Sequence, residues 1–351
     1  MLLKEILPLS PSTLLRSFVL CSVFACGLPT ANAQDNDLIQ LVIDLLNDKD
    51  RDVRALAFEQ VRTEAKGEAA TRKFAAQIPN LDPDGQIGLL RALAERRDRA
   101  ARPEILKVLD TTRDNRVRIA AIEALGPLGN STDVRRLVGI LEEGTAAEKK
   151  AAESSLIRIQ GADAAKTIVG QMDNASPQVQ ARLLAVLTTR RATDTLPDIV
   201  SAAVSGDATV RRAAMTSLAQ LANPEQVKGM VQGVLKAQPG KEREAAEKAV
   251  MMACKRLDDG PSRAQPLLAA MDQLDEKDRT TLLSTLGRVG GADAVKEIMD
   301  AVANKNIDVN RAGFKALCNW PDASVAPQLI DQAKSNPSAG RRTTALRALI
   351  R

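Results

Sequence analysis

Apolar residues recur three and four positions apart along most of the chain. This is the spacing of one face of an α-helix. The clearest instance is Asp114-Asn115-Arg116-Val117-Arg118-Ile119-Ala120-Ala121-Ile122-Glu123-Ala124-Leu125-Gly126. Asp114 stands where an N-cap belongs, its carboxylate able to accept the free amide protons of a first helical turn. Val117, Ala121, Ala124 and Leu125 share one face, and Gly126 predicts a left-handed stop. The stretch recurs. The Leu125 position is held by Val61, Leu93, Leu125, Leu156, Leu187, Leu218, Val250, Leu286, Leu317 and Leu349, at steps of 31 or 32 residues with a single step of 36. The Asp114 position reads Asp50, Asp82, Asp114, Thr145, Ser176, Asp207, Pro239, Asp275, Asn306 and Ser338, all good N-caps except Pro239.

The Arg118 position reads Arg54, Gln86, Arg118, Lys149, Gln180, Arg211, Arg243, Arg279, Asn310 and Arg342. Every one can donate a hydrogen bond. Because this row keeps the period of the architecture, it predicts a structural ladder that ties each unit to a carboxylate or carbonyl of the next. The competing reading is a basic surface for an acidic partner.

Each unit carries a second apolar pattern upstream, as in Asp133 to Leu141 and Ala294 to Val302. Pro103, Pro197, Pro266 and Pro327 sit near the starts of such segments, where a missing amide proton costs nothing. Gly129-Asn130, Gly161-Ala162, Ala222-Asn223-Pro224, Gly290-Gly291 and Pro321-Asp322 separate the units. No segment alternates like a strand. One helix pair cannot bury its stripe alone, so the units must stack. The expectation is an all-α solenoid over residues 34–351, with ten helix-turn-helix units near 35–66, 67–97, 98–129, 130–161, 162–192, 193–222, 223–257, 258–290, 291–321 and 322–351. The longest unit, bracketed by Pro239-Gly240 and Asp258-Asp259-Gly260-Pro261, is where the curvature should change.

Asp114 to Gly126, together with Asp207-Ala208-Thr209-Val210-Arg211-Arg212-Ala213-Ala214-Met215-Thr216-Ser217-Leu218, resembles the HEAT-repeat family, in its short, bilin-lyase-like class. The run Leu317-Cys318-Asn319-Trp320-Pro321-Asp322-Ala323 and the closing Ala345 to Arg351 resemble exported bacterial HEAT arrays. That resemblance implies a non-enzymatic scaffold for protein–protein interaction, forming the front part of a longer protein. The partner would be another protein or an attached C-terminal domain. A chromophore lyase or chaperone is the alternative that the repeat class implies.

Composition narrows the chemistry. Aromatic residues make up 2 per cent, with one Trp, five Phe and no Tyr. The chain has no His, which removes the commonest general base and the commonest metal ligand. Carboxylate hydrolysis has no paired acidic motif to support it: Glu142-Glu143 and Asp258-Asp259 read as solvated turns. Gly287-Arg288-Val289-Gly290-Gly291 follows a helix and so lacks the strand-loop-helix setting of a phosphate loop. No cofactor is expected. The net charge of +5 is spread thinly, with no concentrated basic run that would favour nucleic acid. Trp320, the only Trp, is either a contact for a partner or, as the general habit of Trp favours, packed at a junction between units.

Residues 1–33 read as a secretory signal peptide. Lys4 and Arg16 supply the positive segment, Ser17 to Leu28 the apolar one, and Ala31-Asn32-Ala33 the cleavage site. Twelve apolar residues are too few for a membrane span, which needs ~20. Val23-Phe24-Ala25-Cys26 offers a lipid-anchored alternative at Cys26. Cys254 and Cys318 remain after cleavage, two units apart, and should be free buried thiols. Mass spectrometry of the exported product should find an N-terminus at Gln34. A product that keeps residues 1–33 would contradict the leader.

Overall fold

The computed structural model describes residues 31–256 and 262–351. Residues 1–30 of the leader, with Cys21 and Cys26, and Asp258-Asp259 lie outside that range. Among the described residues, twenty α-helices alternate as the first and second members of ten hairpins. The first helices are α1 (Ala31–Leu46), α3 (Glu68–Ala75), α5 (Arg102–Thr111), α7 (Val134–Glu143), α9 (Ala164–Val169), α11 (Leu196–Ala202), α13 (Val227–Lys236), α15 (Gln265–Met271), α17 (Ala292–Ala303) and α19 (Ala326–Ser335). The second helices are α2 (Arg51–Thr63), α4 (Pro83–Arg96), α6 (Asn115–Leu128), α8 (Ala146–Arg158), α10 (Pro177–Thr189), α12 (Ala208–Leu221), α14 (Lys241–Cys254), α16 (Glu276–Val289), α18 (Ile307–Cys318) and α20 (Ala339–Ile350). Short 3-10 turns extend several of the first helices, and no strand occurs among the described residues. The fold is an all-α solenoid.

Local chemistry sets the starts of the second helices. In nine of the ten, the side chain at the Asp114 position accepts from a backbone N–H of the first turn. Each such cap is worth ~1 kcal/mol. The tenth, α14, has Gly240 as its N-cap, at φ 101, and no side-chain cap, because glycine has no side chain to offer; Pro239, in the Asp114 row, lies one residue before it. Pro103, Pro197, Pro266 and Pro327 all fall in the first turns of first helices.

One helix end departs from the expectation. Gly126 does not stop α6, which runs on through Pro127 to Leu128. Gly126 is there for space: a Cβ on it would sit 3.2 Å from the Ser155 backbone on α8. Pro127 has no amide proton for the Glu123 carbonyl four residues back. That carbonyl accepts instead from Arg158 Nη2 at 3.3 Å.

The second helices pack directly against one another, whereas the first helices approach one another much less closely. The second-helix layer is therefore the inner side of the stack. Small side chains make the approach possible. The position before the Leu125 row is Ala92, Ala124, Ser155, Ser217, Ala249, Thr285, Ala316 or Ala348 in eight units, with Gln60 and Val186 as the exceptions. The Ser155 hydroxyl donates to the Ile122 carbonyl at 2.7 Å, and the Ser217 hydroxyl to the Leu184 carbonyl at 3.3 Å. Nine members of the Leu125 row are fully buried in one continuous apolar core. Leu349, on α20, is only half-buried.

Gly287 marks the tightest approach to the backbone of a neighbouring second helix. A Cβ there would lie 2.5 Å from the Ala316 carbonyl oxygen on α18. The glycine run noted in the sequence thus serves packing at Gly287. It serves a turn at Gly290 and Gly291, where φ is 68 and 98. Gly287→Ala should destabilise the protein by roughly 2 kcal/mol through overpacking. Gly139→Ala, on an exposed face of α7 with nothing near the new methyl, should stabilise by roughly 0.5–1 kcal/mol. Urea unfolding of the two variants checks the contrast, and equal effects would refute the packing account.

Candidate interaction groove on the second-helix face

The Arg118 row lies along the first turns of the second helices, one residue per unit, and does not converge on a single point. Its commonest partner is a carbonyl at the end of the preceding first helix or in the turn after it. Arg54 donates to the Asp48 and Lys49 carbonyls, Arg118 to Leu109, Lys149 to Glu142, Arg211 to Ser205 and Gly206, Arg243 to Ala237, and Arg342 to Asn336 and Pro337. Gln86, Gln180 and Asn310 do the same with Leu81, Ala175 and Val302. The row closes each hairpin on itself, neutralising the carbonyls that a helix end leaves unpaired.

Four members also reach a carboxylate in the next unit: Arg54 to Asp82, Arg118 to Glu148, Arg211 to Glu242 and Arg279 to Glu297. Arg279 makes only this second kind of contact. Backbone hydrogen bonds from Thr145, aided by Arg118, hold the Glu148 carboxyl below its ordinary range against the opposing effect of burial.

A second set of arginines sits at the other end of the second helices. Arg96 donates to the Val61, Glu64 and Ala65 carbonyls, Arg190 to Leu156, Ile157 and Ile159, Arg256 to Ala219, Gln220 and Ala222, and Arg351 to Cys318. Each caps the second helix of the preceding unit. Burial pulls the Arg96 and Arg190 guanidinium groups down from their ordinary range. Sequence reasoning missed this set, because its members fall two, three or six residues after the Leu125 row and so share no register.

The other singled-out residues serve the fold. Trp320 is 7% exposed, and its indole N–H donates to Ser324 Oγ at 2.9 Å. It borders a cavity of about 590 Å³ shared with α19 and α20. The Glu142 carboxylate accepts from the backbone N–H and hydroxyl of Ser176, tying one unit to the next. Cys254 and Cys318 are free and buried. Desolvation pushes their thiols up to about 12 and about 11. Among the described residues no acidic or sulfur cluster could hold a metal, and no helix is long and apolar enough to cross a membrane.

A wide concavity lies on the inner layer. A cavity of about 770 Å³ runs across α4, α6 and the end of α8, as far as Arg190 beyond α10. A second, of about 560 Å³, lies over α2, α4 and α6. They meet at Arg91, Ala120 and Glu123, which line both. The floor is small and apolar, with Ala94, Ala120 and Ala124 facing Leu90 and Ile157. Eight arginines and no lysine line the joined groove, against three carboxylates. Two of those carboxylates are already paired, Glu95 with Arg62 and Asp84 with Arg116. The groove thus concentrates positive charge that looks thinly spread along the sequence.

A family model for HEAT repeats matches the chain over residues 71–157, 165–251 and 264–350. No curated protein matches it in sequence. Among solved structures, the karyopherin Kap121p bound to Pho4p superposes with a TM-score of 0.50 at 13% identity, over 92% of this chain and 42% of that one. This chain thus spans less than half the length of that neighbour. The CpcE–CpcF complex of phycocyanin lyase from Nostoc gives a TM-score of 0.34 at 18% identity, over 72% of this chain and 97% of that one. Human deoxyhypusine hydroxylase gives 0.29 at 18% identity, over 63% and 98%. At these identities the likeness is one of fold.

The two kinds of arginine contact differ in burial, and stability should follow. The Arg211–Glu242 pair is 6% and 11% exposed. Arg211→Ala strands a carboxylate and two carbonyls and should cost about 3 kcal/mol. Arg116→Ala breaks pairs more than half exposed at the arginine and should cost less than about 1 kcal/mol. Urea denaturation followed by far-UV circular dichroism measures both. A similar small loss in each would refute the tying role of Arg211.

Proposed function

The chain belongs to the HEAT-repeat family, and on that premise we propose that it is a non-enzymatic scaffold holding a partner protein against its inner layer of second helices. The observation that carries this reading is the joined groove over α2, α4, α6 and α8. Its floor belongs to helices fixed by a continuous core and by side-chain caps at their starts. A rigid, concave, partly apolar surface with charged walls suits recognition of a protein segment, because little ordering cost falls on the scaffold side. HEAT solenoids commonly bind proteins in this manner, and the karyopherin neighbour is itself described in a protein complex. No feature of the groove singles out the chromophore-lyase alternative.

The same proposal takes the protein to be exported, on the strength of the leader-like residues 1–33, and to be the front part of a longer polypeptide. The groove would then hold either a separate protein or a downstream domain of the same chain.

A photo-crosslinking side chain tests this directly. Placed at Gln160, on the exposed rim of the groove, it should trap a protein partner in the native setting. Placed at Arg135, exposed on α7 in the outer layer, it should trap little. Equal labelling from both positions, or none from Gln160, would sink the proposal.

A further inference from the structure

We propose that the groove over α4, α6 and α8 binds an extended acidic peptide segment, one whose run of carboxylates is broken at a single point by a neutral or basic residue. This rests on the scaffold reading above and names the chemistry of what the scaffold holds.

Charge supplies the first argument. Arg91, Arg97 and Arg99 line the groove and take part in no ion pair or side-chain hydrogen bond among the described residues. A guanidinium presents a planar fork that matches a carboxylate in two-point contact, which a lysine ammonium does not. All the basic residues of the groove are arginine.

The backbone supplies the second argument. Arg97 ends α4 in the left-handed conformation, at φ 59. Glycine is the residue that adopts this conformation without steric cost. Arg97 therefore carries a steric cost that glycine would not, as does Arg191 after α10, and of the two only Arg97 lines the groove.

Dimensions select an extended peptide. The groove crosses from α2 to the residue after α10, four helix spacings of ~8–10 Å each. That is on the order of 35 Å, the length of about ten extended residues. The small apolar floor leaves room for alternate side chains. Single-stranded nucleic acid would want stacking aromatics, and Phe58 is the only aromatic lining either cavity.

Glu123 supplies the break in the acidic run. It is half-buried where the two cavities join and takes part in no ion pair among the described residues. Glu95 and Asp84 are already neutralised by Arg62 and Arg116. An unbroken acidic run would set a carboxylate against Glu123. A neutral or basic residue at that point would remove the repulsion.

The test uses the full chain and two fluorescent twelve-residue peptides, read by anisotropy at low and physiological salt. One peptide is continuous Glu, and the other carries Lys at its centre. The Lys-interrupted peptide should bind more tightly, and both should weaken as salt rises. Arg97→Gly relieves strain and should keep or raise thermal stability, while weakening binding about two- to five-fold. Arg91→Gln should weaken binding similarly. Glu123→Gln should tighten the continuous Glu peptide by a comparable factor and abolish the preference between the two peptides. Arg135→Gln, on the outer layer, should change nothing.

Wild-type affinity in the folded Arg97 and Arg91 variants would overturn the proposal. So would tighter binding of a single-stranded oligonucleotide of equal length at the same salt. A protein captured at Gln160 that acidic peptide does not displace would defeat this inference and leave the scaffold reading standing. Peptide binding in the groove with no protein ever held there would do the reverse.

Discussion

How closely two second helices can approach is the constraint on which the rest of the molecule depends. Ser155 reaches the backbone of the preceding helix, and Gly287 leaves no room for even a methyl group. Interfaces this thin have no volume for large aromatic rings. The scarcity of Phe, Trp and Tyr is therefore a consequence of the packing. Close approach along one layer and looser approach along the other also curve the stack, and the inner side becomes a continuous wall. Since each unit touches little beyond its neighbours, stability accumulates interface by interface.

Close packing creates an electrostatic problem that arginine solves. Every helix ends in carbonyls without intrahelical partners, carrying partial negative charge. Here several of those ends lie at the seams between helices, where a side chain can reach them. One set of arginines, at the starts of the second helices, serves the ends of the first helices within the same unit. Another, at the ends of the second helices, serves the preceding unit. The Arg158 contact to Glu123 shows the same device at a defect, filling the hydrogen bond that Pro127 cannot make. Arginine suits this work because its several donors can serve two or three carbonyls at once. This demand accounts for Arg54, Arg96, Arg118, Arg158, Arg190, Arg211, Arg243, Arg256, Arg342 and Arg351. Arg91, Arg97 and Arg99, which line the groove, are not among them.

Much of this was legible in the sequence. The N-cap row could be read residue by residue, because a cap is a local interaction between a side chain and amides two or three positions away. The Leu125 row was legible because burial repeats with the architecture. The partners of the Arg118 row were harder to read. The sequence suggested ties between units, whereas the dominant contact is with the unit's own turn, and only some members add a tie to the next. The sequence also stopped α6 at Gly126, because a glycine needed for close approach looks the same as one needed for a turn. The groove was not legible at all. Arg91, Arg97 and Arg99 belong to no row, and they join Arg158 and Arg190 only when four consecutive hairpins are stacked.

The position of Trp320 has an optical consequence. The chain contains a single Trp and no Tyr, so nearly all of its intrinsic ultraviolet emission comes from one indole, buried beside α19 and α20. That signal reports the environment of the last two hairpins and is blind to the groove some two hundred residues earlier. In an array held together by nearest-neighbour contacts, the two ends need not melt together. Loss of fluorescence and loss of helical dichroism would then trace different events, and their separation along a denaturant axis would measure how far cooperativity extends through the stack.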